Sequence, residues 1–133
     1  MSKFAFLNPD GLPQPRGYNH GVSAPGAGRI LFVAGQIGCD RQGAVVSSDI
    51  VEQFEVALSN MMMVVREAGG KPESIARLTI YTTDVLQYRS RLKGLGEAYR
   101  RVMGRHYPAM ALLEVKGLFE RNAIIELEAT AIL

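Results

Sequence analysis

The sequence predicts an α+β sandwich in which one β-sheet packs against two helices. Short apolar runs, two longer stretches of helical periodicity, and glycine or proline at the junctions indicate this class. Along the chain these segments follow the order β-β-α-β-α-β-β. With 133 residues, 47% of them hydrophobic, the chain is expected to form a single domain over residues 1–133, with a core of its own.

Two strands open the predicted sheet. The run RILFVAGQI is rich in β-branched and aromatic residues, and SAPGAG before it carries the proline and glycines of a turn. We therefore expect Asn19 to Ala24 and Ile30 to Ile37 to pair as a hairpin. A further short strand is expected around Phe4 to Leu7.

The first helix begins after Ser48, where Asp49 and Glu52 are suited to cap its start and Gly69 is suited to end it. Helical spacing in this segment joins the apolar residues Ile50, Phe54, Ala57, Leu58, Met61, Val65 and Ala68. This pattern predicts one long helix with a buried face.

A half-buried strand, SIARLTIYTTD, leads into the second predicted helix. The apolar face of that helix runs from Tyr88 to Val102, and Gly104 ends it. Two interior glycines, Gly94 and Gly96, each cost about 1 kcal/mol of helix stability relative to alanine.

The last two strands are predicted in AMALLEV and AIIELEATAIL. One phase of the final strand, expected to face the helices, contains Ile125, Leu127, Ala129 and Ala131. The opposite phase contains Glu126, Glu128 and Thr130. A partly desolvated carboxylate in that second phase suits either acid–base chemistry or an interfacial salt bridge.

Two helices cover only one face of a sheet, so apolar side chains on the other face of this sheet would be exposed to solvent. Leu31 to Ala34 is apolar in both phases. Met110 and Leu112 fall in the phase opposite Ala111 and Leu113, and we expect them on the uncovered face. A second subunit is therefore expected to cover that face.

Composition excludes several classes of function. With 15 basic and 13 acidic residues, the net charge of +2 is too small for a nucleic-acid footprint or an electrostatic membrane anchor. Cys39 is the single cysteine, and neither it nor His20 and His106 has metal-ligand spacing. The N-terminus reaches Asn8 and Pro9 before a signal-length apolar segment develops, which favours a soluble cytoplasmic protein.

Six segments together resemble the RidA/YjgF family of imine and enamine deaminases, sometimes labelled endoribonuclease L-PSP. They are GYNHGV, FVAGQIG, VALSNMMMVVREAGG, LTIYTTDV, YPAMALLEV and IELEATA. The resemblance implies a chorismate-mutase-like fold with one mixed sheet, and a homotrimer with a small-molecule cleft between subunits. It also implies hydrolysis of reactive 2-imino or 2-enamino acids to 2-oxo acids and ammonia, without metal or cofactor.

The resemblance assigns roles to individual positions. Tyr18 and Glu126 match the cleft tyrosine and glutamate, and Gly35 matches the glycine that borders the substrate. Two positions depart, because Ala34 stands where active deaminases usually have serine and Met110 stands where they have the arginine that binds the substrate carboxylate. The candidate catalytic residues are Glu126 and Tyr18, and the candidate substrate-binding residues are Ala34, Gly35, Met110 and Leu112.

The departure at Met110 leaves the function open. A thioether supplies neither charge nor donor, so weak activity on small 2-imino acids is expected unless a cation such as Arg105 compensates. One alternative is a non-catalytic trimeric module that binds a metabolite. Another is an RNA-acting protein that uses Arg89, Lys93 and Arg100, although Glu97 interrupts this basic face. Structural roles for the same residues, such as a salt bridge for Glu126, also remain open.

Overall fold

The computed structural model describes residues 3–26 and 28–133, and in them four strands form one sheet while two form a separate N-terminal ribbon. A 3-10 turn at Pro72–Ser74 precedes β4. The strands and helices are β1 (Ala5–Leu7), β2 (Gly21–Ser23), β3 (Ile30–Ile37), α1 (Ile50–Glu67), β4 (Ile75–Thr82), α2 (Val85–Ser90), α3 (Leu92–Met103), β5 (Ala109–Glu114) and β6 (Ile125–Ile132).

The main sheet has the strand order β3-β6-β4-β5. Strands β4 and β5 are parallel, whereas β6 is antiparallel to both β3 and β4. The predicted α+β class with one mixed sheet is therefore confirmed. Strands β3 and β5 form the two edges of this sheet.

The predicted hairpin of Asn19 to Ala24 with Ile30 to Ile37 is wrong. Strand β2 pairs with β1, as the expected short N-terminal strand allows, and β3 pairs with β6. The physical reason is the length of the partner strands and the burial of the side chains that they align. Strand β2 is only three residues long, whereas β6 aligns its buried Ala129 with Val33 across eight-residue strands. Local turn chemistry cannot reveal this longer-range competition.

Helix α1 confirms the predicted first helix. The Asp49 side chain accepts a hydrogen bond from the Glu52 backbone N–H at 3.0 Å, and Gly69 has a positive φ of 89° just beyond the helix end. The residues predicted to face inward from Ile50 to Val65 are buried, with Phe54 and Leu58 almost fully enclosed, whereas Ala68 lies just beyond the helix and is only partly buried. The capping residues and the apolar periodicity in the sequence therefore both predict the helix that the structure contains.

The second predicted helix is two helices, α2 and α3, separated at Arg91. The Arg91 backbone leaves helical geometry, and its guanidinium forms a 2.6 Å ion pair with Asp49 at the start of α1. Arginine is itself a good helix former, so the residue type gives no sign of the break. Helix α3 ends before Gly104, which has a φ of 62°.

The core lies between the sheet and the helices. Leu127 and the other predicted inward-facing residues of β6 are buried, whereas Glu126 and Glu128 lie on the opposite face, as predicted. Gln53, fully buried on α1, accepts a hydrogen bond from the Ile124 N–H at 2.8 Å and donates to the Asn122 carbonyl at 3.1 Å. These bonds fix the segment that leads into β6, and so they position Glu126.

The predicted phase of β5 is wrong. Parallel pairing aligns Met110 with Leu78 and Leu112 with Ile80, which places both on the helix side of the sheet. They remain half-exposed there because pockets separate this edge strand from α2 and α3. The open face instead carries Phe32, 76% exposed, among its apolar residues. Across the described residues, no helix is both long and apolar enough to cross a membrane.

Candidate functional site

Glu126 lies against Gly35 at a β-bulge in β3. The bulge falls between the pairs Val33–Ala129 and Gln36–Leu127, so that Ala34 and Gly35 occupy the space opposite one residue of β6. A Cβ on Gly35 would lie 2.8 Å from the Glu126 carboxyl carbon and 2.9 Å from its Oε2 atom. The missing side chain therefore makes room for the carboxylate.

This carboxylate borders an open-face pocket of about 280 Å³ that also includes Tyr81 and Glu128. The Tyr81 hydroxyl donates a hydrogen bond to Glu128 Oε2, and this bond raises the pKa of Tyr81. The Glu126 side chain makes no hydrogen bond or ion pair with any residue in the described ranges. Of the two neighbouring carboxylates, Glu126 is thus the one available to a ligand or a water molecule.

Tyr18, Met110 and Leu112 line a second pocket, of about 290 Å³, at the β5 edge. The chain next to Tyr18 is tied to the start of β5, because the Asn19 backbone N–H donates to the Pro108 carbonyl at 3.1 Å. The Asn19 side chain adds a bond to the Tyr107 carbonyl. These bonds hold the segment that contains Tyr18 against the start of β5, and Tyr18 and Met110 line the same pocket.

The predicted site residues form two groups on opposite faces of the sheet. Glu126 and Gly35 lie together on the open face, and the exposed Ala34 shares their bulge. Tyr18 lies instead with Met110 and Leu112 at the β5 edge. One copy of the chain therefore does not bring all six residues into one pocket.

Sequence reasoning missed a third pocket of about 360 Å³, which adjoins Met110 and includes Arg16 and Arg100. Arg105 is exposed and lies outside the lining of both pockets that contain Met110. The apolar face of the second predicted helix was a sign of this pocket, whereas no sequence pattern marked Arg16. Within the described ranges, no group of three or more His, Cys, Asp or Glu residues could hold a metal ion.

The comparisons with known proteins cover nearly the whole chain. Residues 12–133 match the family described as Endoribonuclease L-PSP. A RutC family protein of Pyrococcus abyssi is 31% identical over 121 residues, or 90% of this chain and 89% of that protein. The 2-iminobutanoate/2-iminopropanoate deaminase of Homo sapiens is 30% identical over 105 residues, or 78% of this chain and 73% of the deaminase. The crystal structure of YyfB, a Rid family protein of unknown function from Yersinia pestis, has a TM-score of 0.87 at 28% identity, covering 98% of this chain and 99% of that chain.

Proposed function

The chain belongs to the Endoribonuclease L-PSP family, which includes the RidA and YjgF proteins, and we propose that it hydrolyses a reactive imine or enamine to a carbonyl compound and ammonia. The observation that carries this proposal is the Glu126 carboxylate, which rests on Gly35 and has no partner of its own among the described residues. The similarity to a deaminase of Homo sapiens supports the same chemistry.

The proposed reaction adds water across a C=N bond. Glu126 accepts a proton from water as the oxygen attacks the imine carbon, and that proton passes to the nitrogen. Glu126 then moves the hydroxyl proton of the resulting carbinolamine to its nitrogen, so that the C=O bond forms as the C–N bond breaks and ammonia leaves. Tyr18 orients the substrate through its hydroxyl. No electrons are transferred, so the reaction needs no redox cofactor.

The proposed active site lies between copies of a homotrimer. One copy supplies Tyr18 and Met110 from its β5 edge, and its neighbour supplies Gly35 and Glu126 from its open face. The separation of these two groups within one chain supports this arrangement. The apolar open face, with Phe32 76% exposed, supports it as well, because such a surface favours burial against another copy.

Phe32→Asp should disrupt this assembly, because it would place an unpaired charge in the proposed interface. Light scattering should give a trimer mass for the wild type and a smaller mass for the variant. Met63→Asp is the matched control, since Met63 is 62% exposed on α1 and should tolerate the same charge without losing the trimer. A monomeric wild type, or a Phe32→Asp variant that remains trimeric, would contradict the proposed interface.

Gly35→Ala should lower kcat by about tenfold to a hundredfold, because its methyl group would displace the Glu126 carboxylate by a fraction of an ångström or more. Stability should change little, since the displaced atoms are the flexible end of a side chain. The two quantities are measured by steady-state ammonia release and by thermal unfolding. Gly117→Ala is the control, because a Cβ there meets nothing within 4 Å although Gly117 lines the same pocket. Equal kcat values for the two variants would count against the role of Gly35.

A further inference from the structure

An aromatic pocket opens beside Met110 on the helix side of the sheet, with a volume of about 360 Å³. Phe54, Tyr88, Tyr99 and Tyr107 contribute rings to its lining. Tyr99 and Tyr107 stack with their ring centroids 5.2 Å apart and their planes 7° apart, and Phe54 meets Tyr88 edge-on. This volume is within the range of small-molecule sites, and its walls suit a flat apolar group.

The aromatic pocket adjoins the pocket that contains Tyr18. Both are lined by Gly17, Ile80, Tyr88 and Met110. A ligand whose reacting carbon lies beside Tyr18 can therefore extend a side chain past Met110 into the aromatic pocket. Met110 contributes a flexible apolar side chain to both linings, which favours an apolar group that extends from one space to the other.

The two glycines of α3, Gly94 and Gly96, are accounted for by different structural reasons. A Cβ on Gly94 would lie 3.1 Å from Val51 Cγ2, so the packing of α3 against α1 accounts for that glycine. A Cβ on Gly96 would meet only the guanidinium of Arg100, the far end of a long side chain, at 3.4 Å. Close packing therefore does not require glycine at position 96, yet Gly96 lines the aromatic pocket. Its missing side chain enlarges the pocket at a cost in helix propensity.

Two arginines give the aromatic pocket a positive charge. Arg16 and Arg100 both line it, and no Asp or Glu of the described ranges does. Neither guanidinium group has an ion-pair or hydrogen-bond partner among residues 3–26 and 28–133. The Tyr88 hydroxyl is likewise without a partner there, and burial raises the pKa of Tyr88 to about 12, so it stays a neutral donor. A bound carboxylate would find both charge and donors in this pocket.

We infer that the substrate is a 2-imino acid with an aromatic side chain, whose ring enters the aromatic pocket and whose carboxylate pairs with Arg16 and Arg100. This inference rests on the proposed function. In this arrangement the substrate carboxylate binds to cations that lie away from position 110. Gly96 and the tyrosine rings select a substrate with a large side chain over one with a methyl group.

The test is isothermal titration with three stable probes: phenylpyruvate, pyruvate and phenylacetone, which lacks the carboxylate. Phenylpyruvate should bind at least about tenfold tighter than pyruvate, because only its ring fills the pocket. It should also bind at least about tenfold tighter than phenylacetone, and the double variant Arg16→Gln/Arg100→Gln should remove that second preference. Equal affinities for phenylpyruvate and pyruvate would overturn the inference.

Gly96→Leu should weaken phenylpyruvate binding by at least about tenfold without lowering the thermal midpoint, since leucine is the better helix former. Lys93→Leu, an exposed change in the same helix, should bind as the wild type does. A Gly96→Leu variant that binds phenylpyruvate normally would also overturn the inference.

Binding of the stable probes is separable from catalysis: tight phenylpyruvate binding without ammonia release would refute the proposed function alone. Turnover of small imines without phenylpyruvate binding would refute the aromatic substrate alone.

Discussion

Arginine in place of Met110 should raise hydrolysis of 2-iminopropionate by up to about two to four decades in kcat/KM, the upper value applying if Arg16 and Arg100 contribute little to binding this small substrate. A guanidinium binds a carboxylate through two parallel charge-assisted hydrogen bonds, each contributing about 1.5 to 3 kcal/mol. Met110 contributes neither of them. It lines the pocket beside Tyr18, so an arginine there would reach the ligand from a strand of the sheet. Arg16 and Arg100 are exposed and hold their guanidinium groups less firmly.

The measurement is steady-state release of pyruvate or ammonia from freshly generated imine. Met110→Gln is the control, because it has a polar side chain of similar length without the charge. Adding Ala34→Ser to Met110→Arg should raise kcat/KM by up to about a further tenfold, which is the contribution of one net hydrogen bond. If the wild type already matches Met110→Arg on 2-iminopropionate, carboxylate binding does not depend on a cation at this position.

Glu126→Gln should lower kcat by about a hundredfold to ten-thousandfold, the usual contribution of a general acid or base. Glutamine keeps the shape of the side chain but cannot accept the proton of the attacking water. Steady-state turnover of the best imine substrate gives kcat for this variant. Glu128→Gln is the matched control: it lies two residues away on the same face, and its carboxylate already binds the Tyr81 hydroxyl. A similar loss in both variants would indicate general electrostatics instead of a role specific to Glu126.

The sequence was most informative where one buried face determines the pattern. The spacing of α1 and the alternation of β6 each reflect packing against a single core, so both predict the observed burial. Asp49 and Gly69 mark the ends of α1 through local bonding and backbone geometry, which the residue types alone indicate.

Strand pairing and the edge of the sheet were less predictable. The partner of β3 depends on a competition between β2 and the distant β6. The phase of β5 depends on its parallel register with β4, and both of its faces carry apolar residues, so alternation could not decide which one met the helices. The half-exposed state of Met110 and Leu112 follows from the pockets beside them.

The candidate site likewise contains some residues that the sequence indicated and others that only the fold brings together. Glu126 and Gly35 were assigned by family resemblance, and their contact explains why a glycine is needed at the bulge. Arg105 was the nearest cation to Met110 along the chain, whereas Arg16 and Arg100 approach its pocket through the fold. Sequence distance was a poor guide here because the aromatic pocket draws residues from α1, α2, α3, two strands and two loops.

The most direct test of the account is ammonia release by the purified wild type from freshly generated 2-imino acids with methyl, branched and aromatic side chains, compared with Glu126→Gln. The account predicts turnover above the uncatalysed rate for at least one of these imines, with the Glu126→Gln variant close to background. Ammonia release at the uncatalysed rate for every imine would contradict it, and so would turnover that Glu126→Gln leaves unchanged.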